Sequence, residues 1–159
     1  MALDEPLQIC VYFRASSPLT WGDARALPGV TGFADDVQGA ADAPVPDALV
    51  VTTVDGPVLL NRLPPDEVVL RRRLHLAAHG ASPHLAVHLA AVAGIWHLVA
   101  TGRAARPLQH IVEALARRLD GLILSTGWYR PGGRALEAPG DRRPIDALVA
   151  ELPHGSRGR

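Results

Sequence analysis

The sequence predicts a single α+β domain with a mixed or antiparallel sheet of about 5–6 strands and helices packed mainly on one face. Two observations lead to this fold class. Residues 64–121 hold the longest run of apolar residues at helical spacing, and glycine and proline interrupt it at several points. Short runs rich in β-branched residues lie before and after that stretch. Strands on both sides of a helical middle favour this class over a doubly wound parallel sheet.

The first part of this stretch predicts two helices that meet at a bend. Prolines and carboxylates at residues 64–67 suit a first helical turn, and Gly80 suits a left-handed stop, so the first helix covers about 66–79. Ser82 and Pro83 repeat the start signal, and the apolar residues that follow step by three and four positions. The second helix therefore begins at Pro83 and ends near Gly94.

The segment after Gly94 allows two interpretations, because one apolar stripe could continue as a helix to Gly102. We favour a break. Glycine inside a helix costs about 1 kcal/mol relative to alanine, and residues 95–99 are β-branched and aromatic, which suits a short buried strand. A third helix then runs from Pro107 to Gly121 along an apolar stripe formed by Leu108, Ile111, Val112, Leu115 and Leu119.

Extended segments flank the helices. Residues 8–14 are nearly continuous in apolar side chains, which predicts a central strand with both faces covered. Residues 48–54 and 57–63 predict a hairpin, because the Asp-Gly pair between them is a strong turn signal. A strand at 122–128 and a return strand at 134–136 complete the predicted sheet.

The chain organisation follows from composition. Residues 1–152 form the predicted single domain, with an acidic loop rich in glycine and proline at about 28–47, and residues 153–159 form a basic tail that we expect to be disordered. Short helices are predicted at 20–27, where a capping pattern precedes the apolar residues, and at 145–152. The 159 residues are enough for one hydrophobic core.

Several features predict a cytoplasmic protein. Cys10 is the only cysteine, so an internal disulfide is excluded, which fits a reducing compartment. The amino terminus is acidic where a signal peptide would be basic, and no stretch of about 18 apolar residues lacks a charge or a histidine. All 16 basic residues are arginine, which indicates a GC-rich, bacterial genome rather than a function.

Charge is unevenly distributed along the chain. Residues 1–67 contain three arginines and ten carboxylates, and the remainder contains thirteen arginines and six carboxylates. We interpret this asymmetry as internal charge matching. The net charge is zero and aromatic residues are few, so we do not expect nucleic-acid binding, and we expect no membrane binding.

Four histidines are candidate metal ligands. His75 and His79 lie four residues apart at the end of one predicted helix, and His84 and His88 lie four apart at the start of the next. If the helices meet in a tight corner, the two pairs could face each other and bind zinc or another transition metal. Metal-free roles explain the same spacing, such as an exposed first turn or a buried hydrogen bond, so we expect no resident cofactor but keep a metal site as a hypothesis.

The sequence predicts no catalytic residues. Cys10 lies inside an apolar strand with no base nearby in sequence, and the glycine pairs lack the context of a phosphate-binding loop. The expected function is therefore a non-enzymatic protein-interaction module of the adaptor, chaperone-like or inhibitor type, with another protein or a second copy of the chain as its partner. The alternatives are a metal-binding protein and a small enzyme whose acids and bases are dispersed. The predicted interaction surface comprises Trp21, Asp35, Asp36, Arg71 and Arg72.

Overall fold

The computed structural model of this chain describes residues 6–34, 38–79, 83–132 and 134–135. These residues form one antiparallel sheet of eight strands and four α-helices. The strands are β1 (Leu7–Phe13), β2 (Gly32–Phe33), β3 (Ala48–Thr53), β4 (Gly56–Arg62), β5 (Gly94–Ala100), β6 (Gly121–Leu124), β7 (Trp128–Arg130) and β8 (Arg134–Ala135). The helices are α1 (Trp21–Arg25), α2 (Pro65–His79), α3 (Pro83–Ala90) and α4 (Ala105–Leu119).

The sheet order is β2-β3-β4-β5-β1-β6-β7-β8, and every strand pair is antiparallel. The α+β class and the antiparallel sheet confirm the prediction. The strand number does not, because eight strands replace the predicted 5–6. The loop at 28–47 contributes the short strand β2, which pairs with β3. The predicted strand at 122–128 is a hairpin instead, since the chain turns at residues 125–127 between β6 and β7.

Helices cover both faces of the sheet, so the predicted packing mainly on one face is wrong. We call the side of β1 that carries Val11 and Phe13 the α4 face, because α1 and α4 pack there. The opposite side, which carries Cys10 and Tyr12, is the α2 face, where α2 and α3 pack. The physical reason is the apolar sequence of β1. A strand whose consecutive side chains are all apolar needs a cover on each side.

The central stretch folds as predicted. α2 and α3 are separate helices, and residues 94–100 form strand β5 rather than continuing a helix; α3 ends at Ala90, before the predicted end near Gly94. α4 begins at Ala105, two residues before the predicted start at Pro107, which then lies in the first turn where its missing N–H costs no hydrogen bond. Asp120, with a φ of 53°, adopts the left-handed conformation that ends α4.

The predicted short helix near the amino terminus is α1. Thr20 and Asp23 form a capping box, in which each side chain accepts a hydrogen bond from the backbone N–H of the other residue. Trp21 and Ala24 are buried against the sheet. The predicted helix at 145–152 and the tail at 153–159 lie outside the described residues. No described helix is long and apolar enough to cross a membrane.

The Phe13 ring packs so closely on Gly94, the first residue of β5, that no side chain fits at this position. A Cβ built at this position would overlap the ring of Phe13, which faces it across the β1–β5 pair. We expect Gly94→Ala to lower the free energy of unfolding by about 1–3 kcal/mol, because the ring must move in a packed core. Urea denaturation measures this difference.

Gly127→Ala is the matched control for that experiment. Its added Cβ would lie 3.6 Å from the nearest atom of Tyr129, an ordinary contact distance. We expect the control to change stability by less than about 0.5 kcal/mol. Equal effects of the two substitutions would contradict the close packing of Phe13 on Gly94.

Candidate functional site

A polar cluster lies in the core beneath α2, centred on Tyr12 of β1. Tyr12 has no exposed surface, and its hydroxyl oxygen lies 2.7 Å from Nε2 of His75, which is 2% exposed. The rings of Tyr12, His75 and Trp128 pack edge to face in pairs, with centroids 4.9–5.1 Å apart. This geometry buries three amphipathic rings together and gives the tyrosine hydroxyl a partner.

Arg71 of α2 lies between this cluster and the protein surface, where it contacts both Tyr12 and Glu67. Its side chain is 14% exposed, and it donates to the Glu67 carboxylate at 2.9 and 3.1 Å, one turn earlier on α2. Burial raises the pKa of Tyr12 well above its ordinary range, although the nearby Arg71 acts in the opposite direction. The Tyr12 phenol is therefore neutral at physiological pH, and the cluster supplies a hydroxyl rather than a phenolate nucleophile.

His88 of α3 also forms a hydrogen bond with Tyr12. Its Nε2–H donates to the backbone oxygen of Tyr12 at 2.7 Å, and the side chain is 6% exposed. Burial lowers the pKa of His88, while the hydrogen bond to Tyr12 and the carboxylate of Asp120 oppose this shift. The guanidinium groups of Arg14 and Arg130 lower it further. A neutral imidazole is the form that fits this position.

The structure thus brings together two of the four candidate metal ligands. His75 and His88 converge on Tyr12, one at its hydroxyl and one at its backbone oxygen. His84 is exposed, and the side chain of His79 lies outside the described part of the chain. Within the described residues, no three His, Cys, Asp or Glu side chains are grouped as metal ligands. The metal site stays a prediction, and hydrogen bonding to Tyr12 is the role that the geometry gives to His75 and His88.

The predicted interaction surface is not one surface among the described residues. Trp21 is 6% exposed and packs edge to face on Phe33 in the core, with centroids 5.2 Å apart. Arg71 is directed to Glu67 and Tyr12, whereas Arg72 lines a surface depression. Asp35 and Asp36 lie outside the described residues.

A surface that the sequence analysis missed lies on the α2 face of β3, β4 and the second half of β5. The α4 face of the same strands is closed, since Leu49, Val51, Val58 and Leu60 are at most 2% exposed. The helices α2 and α3 instead pack over β1, β5 and β6. We call the uncovered part of the α2 face the open face, which is formed by Val50, Thr52, Leu59, Asn61, His97 and Val99.

Apolar side chains form a row across the open face. Val50 is paired with Leu59, and Leu59 with Val99, so the three lie side by side on adjacent strands. Leu59 is 39% exposed, and Val50 and Val99 are half-buried. None of the six residues of the open face is Asp, Glu, Lys or Arg. The sequence signal that could have found it is the run of consecutive apolar residues at 49–51 and 58–60, because alternate side chains of a strand point to opposite faces and both faces are then apolar.

The Tyr12 hydroxyl should contribute to stability through His75. We expect Tyr12→Phe to lower the free energy of unfolding by about 1–3 kcal/mol, because a buried polar atom of His75 loses its partner at 2.7 Å. Tyr129→Phe is the control, since its exposed hydroxyl lies 3.3 Å from that of Thr126. Chemical denaturation of both variants makes the comparison, and equal losses would contradict the role of the Tyr12–His75 bond.

His88 should make stability depend on pH. Its pKa is lowered in the folded protein, so between that value and about 6.5 the unfolded chain binds more protons. This contribution to stability is complete above about pH 6.5 and is lost as the pH falls towards the pKa of His88 in the folded protein. The contribution is about 1.4 kcal/mol for each unit by which folding lowers that pKa. Denaturation of wild type and His88→Gln between pH 5 and about 8 tests this. If the free energies of unfolding of the two proteins change in parallel with pH across this range, His88 is not the source of the pH dependence.

In comparisons with protein-family models, with curated proteins and with solved structures, nothing matches this chain.

Proposed function

We propose that this chain is a non-enzymatic protein-interaction module and that its open face binds a second copy of the chain. The observation that carries the proposal is the apolar row formed by Val50, Leu59 and Val99, which the described helices leave uncovered. One solvated face is normal for an antiparallel sheet, but such a face usually alternates polar residues with the buried ones. Here its central row is aliphatic.

The absence of charge on the open face favours a second copy as the occupant. A surface without Asp, Glu, Lys or Arg offers little field to match against a charged partner, whereas two such faces can meet without desolvating a carboxylate or a guanidinium. The net charge of the chain is zero, so two copies do not repel each other at long range. A two-fold axis through the face would place the same row on both sides of the interface.

Sheet packing supplies a geometry for this association. Two sheets that pack face to face lie about 10 Å apart, and their side chains interdigitate. The row crosses three adjacent strands, which gives the interface a continuous apolar centre. The outer edges of the described sheet are less suited to pairing, because the edge strands β2 and β8 are each two residues long.

The location of the polar cluster supports an interaction role over catalysis. Tyr12, His75 and His88 are buried, and each histidine is hydrogen-bonded to Tyr12. They line neither of two surface depressions, of about 410 and 70 Å³, where a substrate would have access. Their arrangement fits the fixing of α2 and α3 on the sheet.

A charge on the open face should prevent the association. We expect Leu59→Glu to weaken the dimer at least about 30-fold, because each copy would lose about 1–2 kcal/mol of apolar burial and would bury a carboxylate. Sedimentation equilibrium over a wide concentration range measures the constant. Circular dichroism and denaturation confirm that each variant is folded.

Val87→Glu is the matched control, because Val87 is a β-branched apolar residue on α3 that is 66% exposed and is not one of the six residues of the open face. It should leave the dimer constant within about twofold. A wild-type chain that sediments as a monomer at its solubility limit would overturn the second copy as partner, and so would equal weakening by both substitutions.

A further inference from the structure

A depression of about 410 Å³ lies where β4 ends and α2 begins. Its volume falls within the range of small-ligand sites, about 300–1,000 Å³. Aliphatic and charged residues line it together. The aliphatic residues are Leu63, Val68, Val69 and Val92, and the charged residues are Asp47, Arg62 and Arg72. The depression is separate from the open face, with which it shares no residue.

One side of α2 forms much of the wall. Pro65, Val68, Val69 and Arg72 follow the spacing i, i+3, i+4 and i+7, which places them on one side of a helix. Val68 is 7% exposed and joins the core, while Val69 is 39% exposed in the depression. The helix therefore presents an aliphatic surface that ends in a guanidinium.

The two guanidinium groups have no carboxylate partner among the described residues. Arg14, Arg71 and Arg118 each pair with an acidic side chain at 2.9–3.0 Å. Arg62 instead lies over the ring of Phe13 at 5.7 Å, and Arg72 forms no hydrogen bond or ion pair with another described residue. The depression thus places the guanidinium of Arg72 beside an aliphatic wall, and Arg62, which also lines the neighbouring depression of about 70 Å³, lies at its edge.

Asp47 sets the sign and size of the local charge. It lines the same depression, its backbone oxygen accepts from the Arg62 N–H at 2.7 Å, and its side chain is exposed. With two guanidinium groups and one carboxylate, the depression carries one net positive charge. An anion with an aliphatic chain complements it better than a neutral or cationic molecule does.

We propose that this depression binds a small aliphatic carboxylate, with its chain against Val68, Val69 and Val92 and its carboxylate at Arg72, while Arg62 at the edge adds positive charge. Guanidinium groups bind carboxylates through paired N–H donors, which gives the charged end its orientation. A chain of about eight carbons fits a site of this size, and we expect a dissociation constant on the order of 1 mM for such a small and solvent-open ligand.

Titration with octanoate, followed by amide chemical shifts in two-dimensional NMR spectra, tests the proposal. The largest shifts should fall on residues 62–72 and 92–94. Arg72→Ala should weaken binding about fivefold, whereas Asp47→Asn should strengthen it about twofold, because it removes a repelling charge. The opposite signs of the two effects distinguish a charged site from a general loss of folding.

Arg73→Ala is the matched control, since Arg73 is the next residue on α2 and is exposed outside the depression. It should change octanoate affinity less than twofold. Octanol that binds as tightly as octanoate would overturn the proposal, as would an Arg73 variant as weak as the Arg72 variant or shifts that do not saturate. Leu59→Glu should keep full octanoate binding, so failure of this site and failure of the dimer are separately visible.

Discussion

Burial of β1 on both of its faces is the constraint on which the rest of the structure depends. Val11 and Tyr12 are adjacent in the chain, point in opposite directions and have no exposed surface. Such a strand is stable only between two apolar layers, so α4 must cover one face while α2 and α3 cover the other. Tyr12 also fixes the second layer, because His75 of α2 and His88 of α3 both bond to it. Its polar atoms thereby hold two helices on one strand.

The open face exists because α2 and α3 are centred over β1 and not over the whole sheet. α2 and α3 lie over β1 and its neighbours β5 and β6, and their apolar side chains meet Ile95 and Leu122 there. They do not extend over β3 and β4 on this face. On the opposite face, Leu49 and Leu60 join the same core as α4. The two layers are thus unequal in width, and the difference leaves Leu59 exposed and Val50 and Val99 half-buried.

Local signals in the sequence predicted the elements better than their arrangement. Capping residues and apolar spacing located α1 to α4, and the Asp-Gly pair located the hairpin of β3 and β4, because these depend on neighbours in the chain. The turn at 125–127 contradicts the single strand predicted at 122–128, because Ser125, Thr126 and Gly127 separate the apolar residues of β6 from Trp128. The sequence pairs His75 with His79 and His84 with His88 as candidate metal ligands. It does not indicate Tyr12 as the hydrogen-bond partner of His75 and His88, because Tyr12 lies 63 and 76 residues away from them in the chain. The bond from Arg118 to Asp23 links the basic and acidic parts of the chain.

Strand β4 carries both proposed surfaces and keeps them apart. Side chains alternate along a strand, so Leu59 lies on the open face while Val58 and Leu60 enter the core. Arg62 is three residues further on, roughly 10 Å along the strand, and lies at the end where the chain enters α2. A partner sheet centred on Leu59 would meet uncharged side chains, and the guanidinium groups would stay at the margin in solvent. An apolar interface and a binding site for an anion can therefore share strand β4, because Arg62 lies at the end of the strand and not beside Leu59.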